Sequence, residues 1–118
     1  MTLQQLQLAM YSYCSPIYVF GKDCSEYAED VIARLGEGSL LTFVAKDRSK
    51  PLHLNYFGRE QDFIYHTVVV LRCEGLDYVI DVTTKDRLVL KSQYILYIQS
   101  HCEGAIEVYT GEYAGMLY

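Results

Sequence analysis

The segment that most constrains the fold is residues 20–35, in which a cysteine stands where an amphipathic helix is predicted to begin. Asp23 can cap this helix, Glu26 follows as the second half of a capping box, and Gly36 can end it. Behind the cysteine, apolar side chains recur at helical spacing: Tyr27, Ala28, Val31, Ile32 and Leu35. Cys24 therefore lies in the first turn, at the leading end of a stripe that is expected to be buried.

Cys24 has three interpretations at this point. A helix N-terminus carries unpaired backbone N–H groups and about half a positive charge, so it stabilises a thiolate. Free cysteines are also among the most buried residue types, so Cys24 could equally be a small core residue. A structural disulfide with Cys14 is the third alternative. A base elsewhere in the chain would favour the first interpretation, in which Cys24 is a nucleophile.

Composition narrows the classes of partner. The chain of 118 residues, taken as a single domain over 1–118, has a net charge of -5 with scattered Lys and Arg, which argues against a nucleic-acid partner. Without a long apolar run or a basic N-terminal segment, we expect no membrane partner and no signal peptide, hence a cytoplasmic protein or a delivered effector. The cysteines form no C-x-x-C pair, so no zinc site is expected. The thiol chemistry considered below requires neither a metal nor an organic cofactor.

The order of predicted elements gives the fold class. Helices are predicted at 2–13, with Thr2 as cap, at 24–35, and at 92–102, with Ser92 as cap and Tyr94, Ile95, Ile98 and Cys102 inward. Residues 94–98 could alternatively form a strand. Extended segments are predicted at 17–20, 40–45, 52–57, 63–73, 77–83 and 105–109, with loops at 46–51, 58–62 and 84–87. The sequence thus predicts an α+β fold in which the cysteine helix packs on a mostly antiparallel β-sheet.

Two polar residues interrupt the apolar strands of the strongest predicted hairpin. His66 precedes a run of valines, and Asp81 lies in the next strand. A buried carboxylate requires a partner, and His66 is the nearest candidate. If residues 73–76 form a four-residue loop closed by Arg72 and Asp77, His66 and Asp81 become diagonal neighbours on one face, with side-chain bases roughly 7 to 8 Å apart. A one-residue slip would separate them, so the turn must keep both on the face that the cysteine helix covers.

A nucleophile, a base and a group that orients the base then occur in one chain. The chain resembles the papain-like, or transglutaminase-like, superfamily of cysteine enzymes. The resemblance lies in the order of three features: Cys24 followed by Tyr27-Ala28, then the strand with His66, then the strand with Asp81. Its small size most resembles the papain-fold domains of bacterial toxins. The resemblance implies a papain-like core over most of the chain, a protein or peptide substrate, and an inhibitory or immunity protein as a further partner.

The expected activity is acyl transfer at a glutamine side chain or a peptide carbonyl, as in a glutamine deamidase or a thiol protease. Cys24 would attack the carbonyl, His66 would move the proton, and Asp81 would hold the tautomer of His66. The backbone N–H of Cys24 could supply one oxyanion donor. The alternative is a catalytically inactive module of the same fold that binds or regulates a protein, which the twelve tyrosines would suit.

Overall fold

The computed structural model describes residues 1–12, 20–84 and 87–110. Within these ranges the chain forms three helices and seven strands: α1 (Leu3–Ser12), α2 (Cys24–Leu35), β1 (Ser39–Ala45), β2 (Leu52–Tyr56), β3 (Arg59–Phe63), β4 (Tyr65–Cys73), β5 (Leu76–Ile80), β6 (Leu88–Leu90), α3 (Lys91–Ser100) and β7 (Ile106–Thr110). Neighbouring strands in these ranges pair antiparallel. The predicted α+β class with a mostly antiparallel sheet is therefore confirmed.

The described strands form a main sheet in the order β6-β5-β4-β1-β7 and a separate hairpin of β2 and β3. Strands β4 and β5 are joined by a two-residue turn in which Glu74 and Gly75 have φ values of 52° and 81°. Positive φ at both positions matches the right-handed twist of the flanking strands. Arg72 lies opposite Asp77, so the predicted register is confirmed. The predicted four-residue loop is wrong, because pairing continues to Cys73 and Leu76 and leaves only two residues in the turn.

Each face of the main sheet is covered by a different helix. One face carries a buried cluster that joins β4 and β5 to α1 and α2: Leu6, Met10, Tyr27, Ala28, Val31, Tyr56, Val69, Leu71, Cys73, Ile80 and Val82. The opposite face carries a cluster that joins β1, β2, β4 and β5 to α3: Leu41, Phe43, Ala45, Leu52, Leu54, Val68, Val79, Tyr94 and Ile98. The sheet is thus buried between α2 on one side and α3 on the other.

Helix α2 begins and ends where the sequence predicts. The Asp23 carboxylate accepts the backbone N–H of Glu26 at 2.9 Å, as an N-cap does. Gly36 adopts the left-handed conformation with φ 75°, and its N–H donates to the carbonyl of Ile32. These caps fix Cys24 as the first residue of the helix.

Several predicted elements differ from the structure. Residues 59–63 form strand β3 rather than a loop, because the polar side chains of this strand lie in solvent while its backbone pairs with β2. The strand β6 was not predicted. Helix α3 begins at Lys91 with no side-chain cap, so Ser92 is not its N-cap, and the alternative strand at 94–98 is also wrong. Cys14, the extended segment 17–19, part of the turn 84–87 and the C-terminal tail lie outside the described residues.

None of the helices in the described ranges is long and apolar enough to cross a membrane.

Candidate active site

The site begins where strand β5 leaves its neighbour. Asp81 follows the last residue of β5, and its Oδ1 accepts both the backbone N–H of Thr83 at 3.0 Å and the Thr83 hydroxyl at 2.6 Å. A carboxylate that bonds the backbone two residues on is a turn former. This turn explains why the strand predicted for 77–83 ends at Ile80.

Because β5 ends at Ile80, one backbone N–H of β4 has no strand partner on that side, and the thiol of Cys24 accepts its hydrogen bond. In an antiparallel ladder, hydrogen-bonded and non-hydrogen-bonded pairs alternate along the strands. Cys73 and Leu76, which flank the two-residue turn, form a hydrogen-bonded pair, and counting outward from them makes Thr67 and Val82 another such pair. If β5 continued to Val82, the N–H of Thr67 would therefore donate to Val82. Instead, the N–H of Thr67 donates to Cys24 Sγ at 3.3 Å. Cys24 has a free thiol and is 6 % exposed as a residue, and its sulfur therefore lies at the edge of β4.

His66 lies beside this sulfur and is almost completely buried, with 1 % of its surface exposed. Its Nε2 donates to Asp81 Oδ2 at 2.8 Å, because an ionised carboxylate can only accept. Its Nδ1 makes no hydrogen bond within the described residues. Cys24 is close enough to raise the pKa of His66, although no hydrogen bond forms between its sulfur and Nδ1.

The carboxylate of Asp81 is saturated with donors. Besides the two bonds from Thr83 and the one from His66, its Oδ2 accepts the hydroxyl of Tyr94 at 2.7 Å. Tyr94 comes from α3, on the far side of the sheet from the thiol helix. A buried carboxylate with this many donors is held in its ionised form.

The pKa values of the buried pair diverge. Burial alone would lower the pKa of His66, but the charge and hydrogen bond of Asp81, and then Cys24, outweigh it and raise that pKa to about 10. Burial alone would raise the pKa of Asp81, but the charge of His66 and the hydrogen bonds from His66, Thr83 and Tyr94 hold it below its usual value. At neutral pH the pair is an imidazolium beside a carboxylate.

His66 and Asp81 share one face of the sheet, as the register predicts, but the face differs from the expected one. Alternation along β4 puts His66 on the side of Val68, which packs against α3, and Asp81 bonds to Tyr94 of α3. Helix α2 covers the opposite face. The thiol meets the pair at the open edge of β4 rather than across a face, because the turn at Asp81 removes the strand that would have separated them.

A cavity of about 450 Å³ is lined in part by Cys24. One wall is the segment from Gly21 to Cys24, and the other is formed by residues 61–65 of the β2–β3 hairpin and its exit, with Tyr56 between them. On the inner side, a space of only about 10 Å³ lies between Cys24, Thr67 and Asp81. That space has room for about one water molecule, so the interior of the site excludes bulk solvent.

The structure therefore brings Cys24, His66 and Asp81 into one cluster. Three contributors were not predicted: the Thr67 backbone, the Thr83 turn and the Tyr94 hydroxyl. Tyr94 was expected to face inward from α3, and a buried tyrosine hydroxyl normally requires a partner, which was the available signal. Thr67 could not be recognised, since its role depends on a ladder that stops.

The described residues contain no group of three or more His, Cys, Asp and Glu side chains arranged to hold a metal ion. Comparisons with protein-family models, with curated proteins and with solved structures find nothing that matches this chain.

Proposed function

We propose that this chain is a cysteine-dependent acyl-transfer hydrolase with a papain-like core that acts on an amide of a protein or peptide, either a glutamine side chain or a peptide bond. The observation that carries the proposal is the buried His66, which is bonded to Asp81 through Nε2 and keeps its unbonded Nδ1 for the thiol side. A base oriented by a carboxylate and placed beside a thiol is the arrangement used for nucleophilic catalysis.

In the proposed reaction the Cys24 thiolate attacks the amide carbon. The positive charge of His66 and the N–H of Thr67 stabilise the negative sulfur before the attack. The backbone N–H of Cys24, which makes no hydrogen bond within the described residues, is free to donate to the oxyanion, as first-turn N–H groups are.

His66 then acts as the acid. With a pKa of about 10 it carries a proton at neutral pH, and it transfers that proton to the departing ammonia or amine as the tetrahedral adduct collapses to a thioester. Neutral His66 next takes a proton from water, whose oxygen attacks the thioester carbon. The acid product leaves, and the thiolate and imidazolium are restored.

The cavity beside Cys24 suits a side chain or a peptide segment. Its acidic side chains are Asp23 and Asp62, and Lys22 at its rim is paired with Asp30. His53 bonds Asp62 at 2.6 Å. The mixed polar lining fits an amide-bearing protein segment, and the toxin-like size of the chain extends the proposal to an effector domain with an inhibitory protein partner.

The first experiment measures the reactivity of each thiol. We expect iodoacetamide to alkylate Cys24 faster than Cys73 and Cys102 in the folded protein, as followed by mass spectrometry of the peptides, because His66 and Thr67 stabilise its thiolate. In His66→Gln the advantage of Cys24 should disappear, while in His101→Gln, which lies outside the site, it should persist. Equal, slow rates at all three cysteines would contradict the proposal.

The second experiment identifies the reaction. Candidate protein substrates are incubated with the chain and their intact masses are measured, since deamidation, cleavage and crosslinking change mass differently. Cys24→Ala should reduce any activity found by about a thousandfold or more, as loss of a nucleophile does, while Cys102→Ala should retain it.

A binding or regulatory module of the same fold is the second candidate. The low exposure of Cys24, 6 %, favours it, since a nucleophile must be reached by its substrate. In that case Cys24→Ala would bind the same partner protein as the native chain and no mass change would occur in the partner.

A further inference from the structure

Tyr94 contacts the site from the helix that takes no part in the proposed thiol chemistry. It lies in the middle of α3 and is 3 % exposed, and its ring packs against Phe43, with ring centres 5.6 Å apart, and against Tyr97 at 5.7 Å. These contacts fix the ring, so the direction of its hydroxyl is fixed as well. That hydroxyl donates to Asp81 Oδ2 at 2.7 Å.

The two oxygens of Asp81 have different partners. Both bonds from Thr83 go to Oδ1 and hold the turn, whereas Oδ2 accepts from His66 Nε2 at 2.8 Å and from the Tyr94 hydroxyl. Tyr94 and His66 therefore donate hydrogen bonds to the same negatively charged oxygen. A donor that shares an acceptor with a second donor reduces the charge available to it.

We infer that Tyr94 is a positioning residue of the proposed active site: its hydroxyl fixes the Asp81 carboxylate and, by bonding the oxygen that His66 uses, sets how tightly His66 holds its proton. The inference rests on the proposed function for its catalytic meaning, because proton affinity at His66 affects turnover only if His66 moves protons there. The effect on the proton itself is measurable without any substrate.

Within the described part of the chain, the groups that face the carboxylate are few, which makes the effect of one hydroxyl visible. They are His66 from β4, Cys24 from α2, Thr83 from the turn and Tyr94 from α3. Burial and the adjacent Asp81 charge both raise the pKa of Tyr94 well above its usual value, so its hydroxyl remains a donor over the range in which His66 titrates.

The test is an NMR titration of histidine side chains in ¹⁵N-labelled protein. The His66 signal is assigned by its loss in His66→Gln, and its midpoint is compared in the native chain, in Tyr94→Phe and in the matched control Tyr97→Phe. In Tyr94→Phe the midpoint should rise by about half a unit to one unit, because all of the Oδ2 charge then acts on His66.

Tyr97→Phe should leave the midpoint unchanged, since the substitution keeps the ring that packs on Tyr94, and the described hydrogen bonds to Asp81 Oδ2 come from His66 and Tyr94. A purely structural role for Tyr94 predicts a lower melting temperature with no change of midpoint. An unchanged or lowered midpoint in Tyr94→Phe would therefore overturn the inference.

A second measurement needs no variant and covers the case in which Tyr94→Phe does not fold. The hydroxyl of Tyr94 is bonded to the same oxygen as His66, so the ¹³C shift of the Tyr94 ring carbon that carries the hydroxyl should follow the titration of His66. A shift that stays constant through that titration would also overturn the inference.

The two proposals fail separately. If Cys24 is alkylated no faster than Cys102, the proposed function fails, whereas the midpoint comparison still decides the role of Tyr94. If Cys24 reacts rapidly but the midpoint is the same with and without the Tyr94 hydroxyl, only the inference on Tyr94 fails.

Discussion

Asp81 is a buried carboxylate whose bonds come from three separate parts of the chain. Thr83 lies in its own turn, His66 on the neighbouring strand and Tyr94 on a helix. The sequence indicated Asp81 and His66, because a histidine and an aspartate in apolar strands are out of pattern, but it did not indicate the turn at Thr83. It did not indicate the bond from Tyr94, since the docking of α3 on the sheet depends on the whole fold.

The opposite pKa shifts of this pair predict the pH range of greatest stability. The pKa of His66 rises from 6.5 to about 10 on folding, so its contribution is complete below pH 6.5 and is lost as the pH rises through about 10. The pKa of Asp81 falls below 3.8, so its contribution is present above pH 3.8 and is lost as the pH falls through the folded value. The free energy of unfolding should therefore be greatest between these limits.

Urea denaturation at a series of pH values measures this profile. In His66→Gln the loss of stability above pH 6.5 should become much shallower. His53, which also has a raised pKa because of its bond to Asp62, serves as a control, because its pair is exposed to solvent. His53→Gln should therefore keep most of the alkaline loss, and a profile that becomes flat in His53→Gln instead would contradict the assignment to His66.

At the scale of the element, α2 was predictable because its signals are local. Asp23 caps it, Gly36 ends it in the left-handed conformation, and its apolar stripe lies between. Strand β3 was not predictable, because its side chains from Arg59 to Asp62 all point into solvent and carry no alternation. What makes it a strand is the adjoining turn, in which Phe57 and Gly58 have positive φ, and the pairing with β2.

The cap of α2 can be tested by a pair of substitutions at one position. Asp23→Ala should lower the free energy of unfolding by about 1 kcal/mol, because the N–H of Glu26 loses its acceptor, whereas Asp23→Asn keeps an oxygen there and should cost only a few tenths. Chemical denaturation gives both values. Equal losses in the two variants would mean that charge, and not the hydrogen bond, matters at this position.

For the whole molecule, the sequence predicted the register of β4 and β5 but not which face of the main sheet α2 covers relative to His66 and Asp81. The Glu74-Gly75 turn gives the pairing of Arg72 with Asp77, and that pairing puts His66 and Asp81 side by side. The direction from which the thiol approaches depends on where β5 leaves β4, and this follows from side-chain bonds made by Asp81 in the folded state. Local pattern carries no information about such a departure.

The first helix belongs to the core that supports the thiol helix. Leu6 of α1 is fully buried in the cluster with Tyr27 and Val31 of α2, whereas Leu8 on the same helix is 63 % exposed. Leu6→Ala should therefore lower the free energy of unfolding by about 2 to 5 kcal/mol, and Leu8→Ala should change it by less than about 0.5 kcal/mol.

Thermal or urea unfolding of the two variants checks this difference. If Leu6→Ala were as stable as Leu8→Ala, α1 would not be part of the cooperative core.

The hydrogen bond from the Thr67 N–H to the sulfur of Cys24 joins the proposed nucleophile to the backbone of the sheet. If this sulfur turns toward a substrate, as the proposed function requires, it must release the amide, since one sulfur cannot keep the same alignment to both. The amide of Thr67 is then open to hydrogen exchange each time the thiol moves away, so its exchange rate measures how often the thiol leaves this position. In the protected state of this amide the sulfur is held at the sheet, and in the exchanging state the sulfur is released.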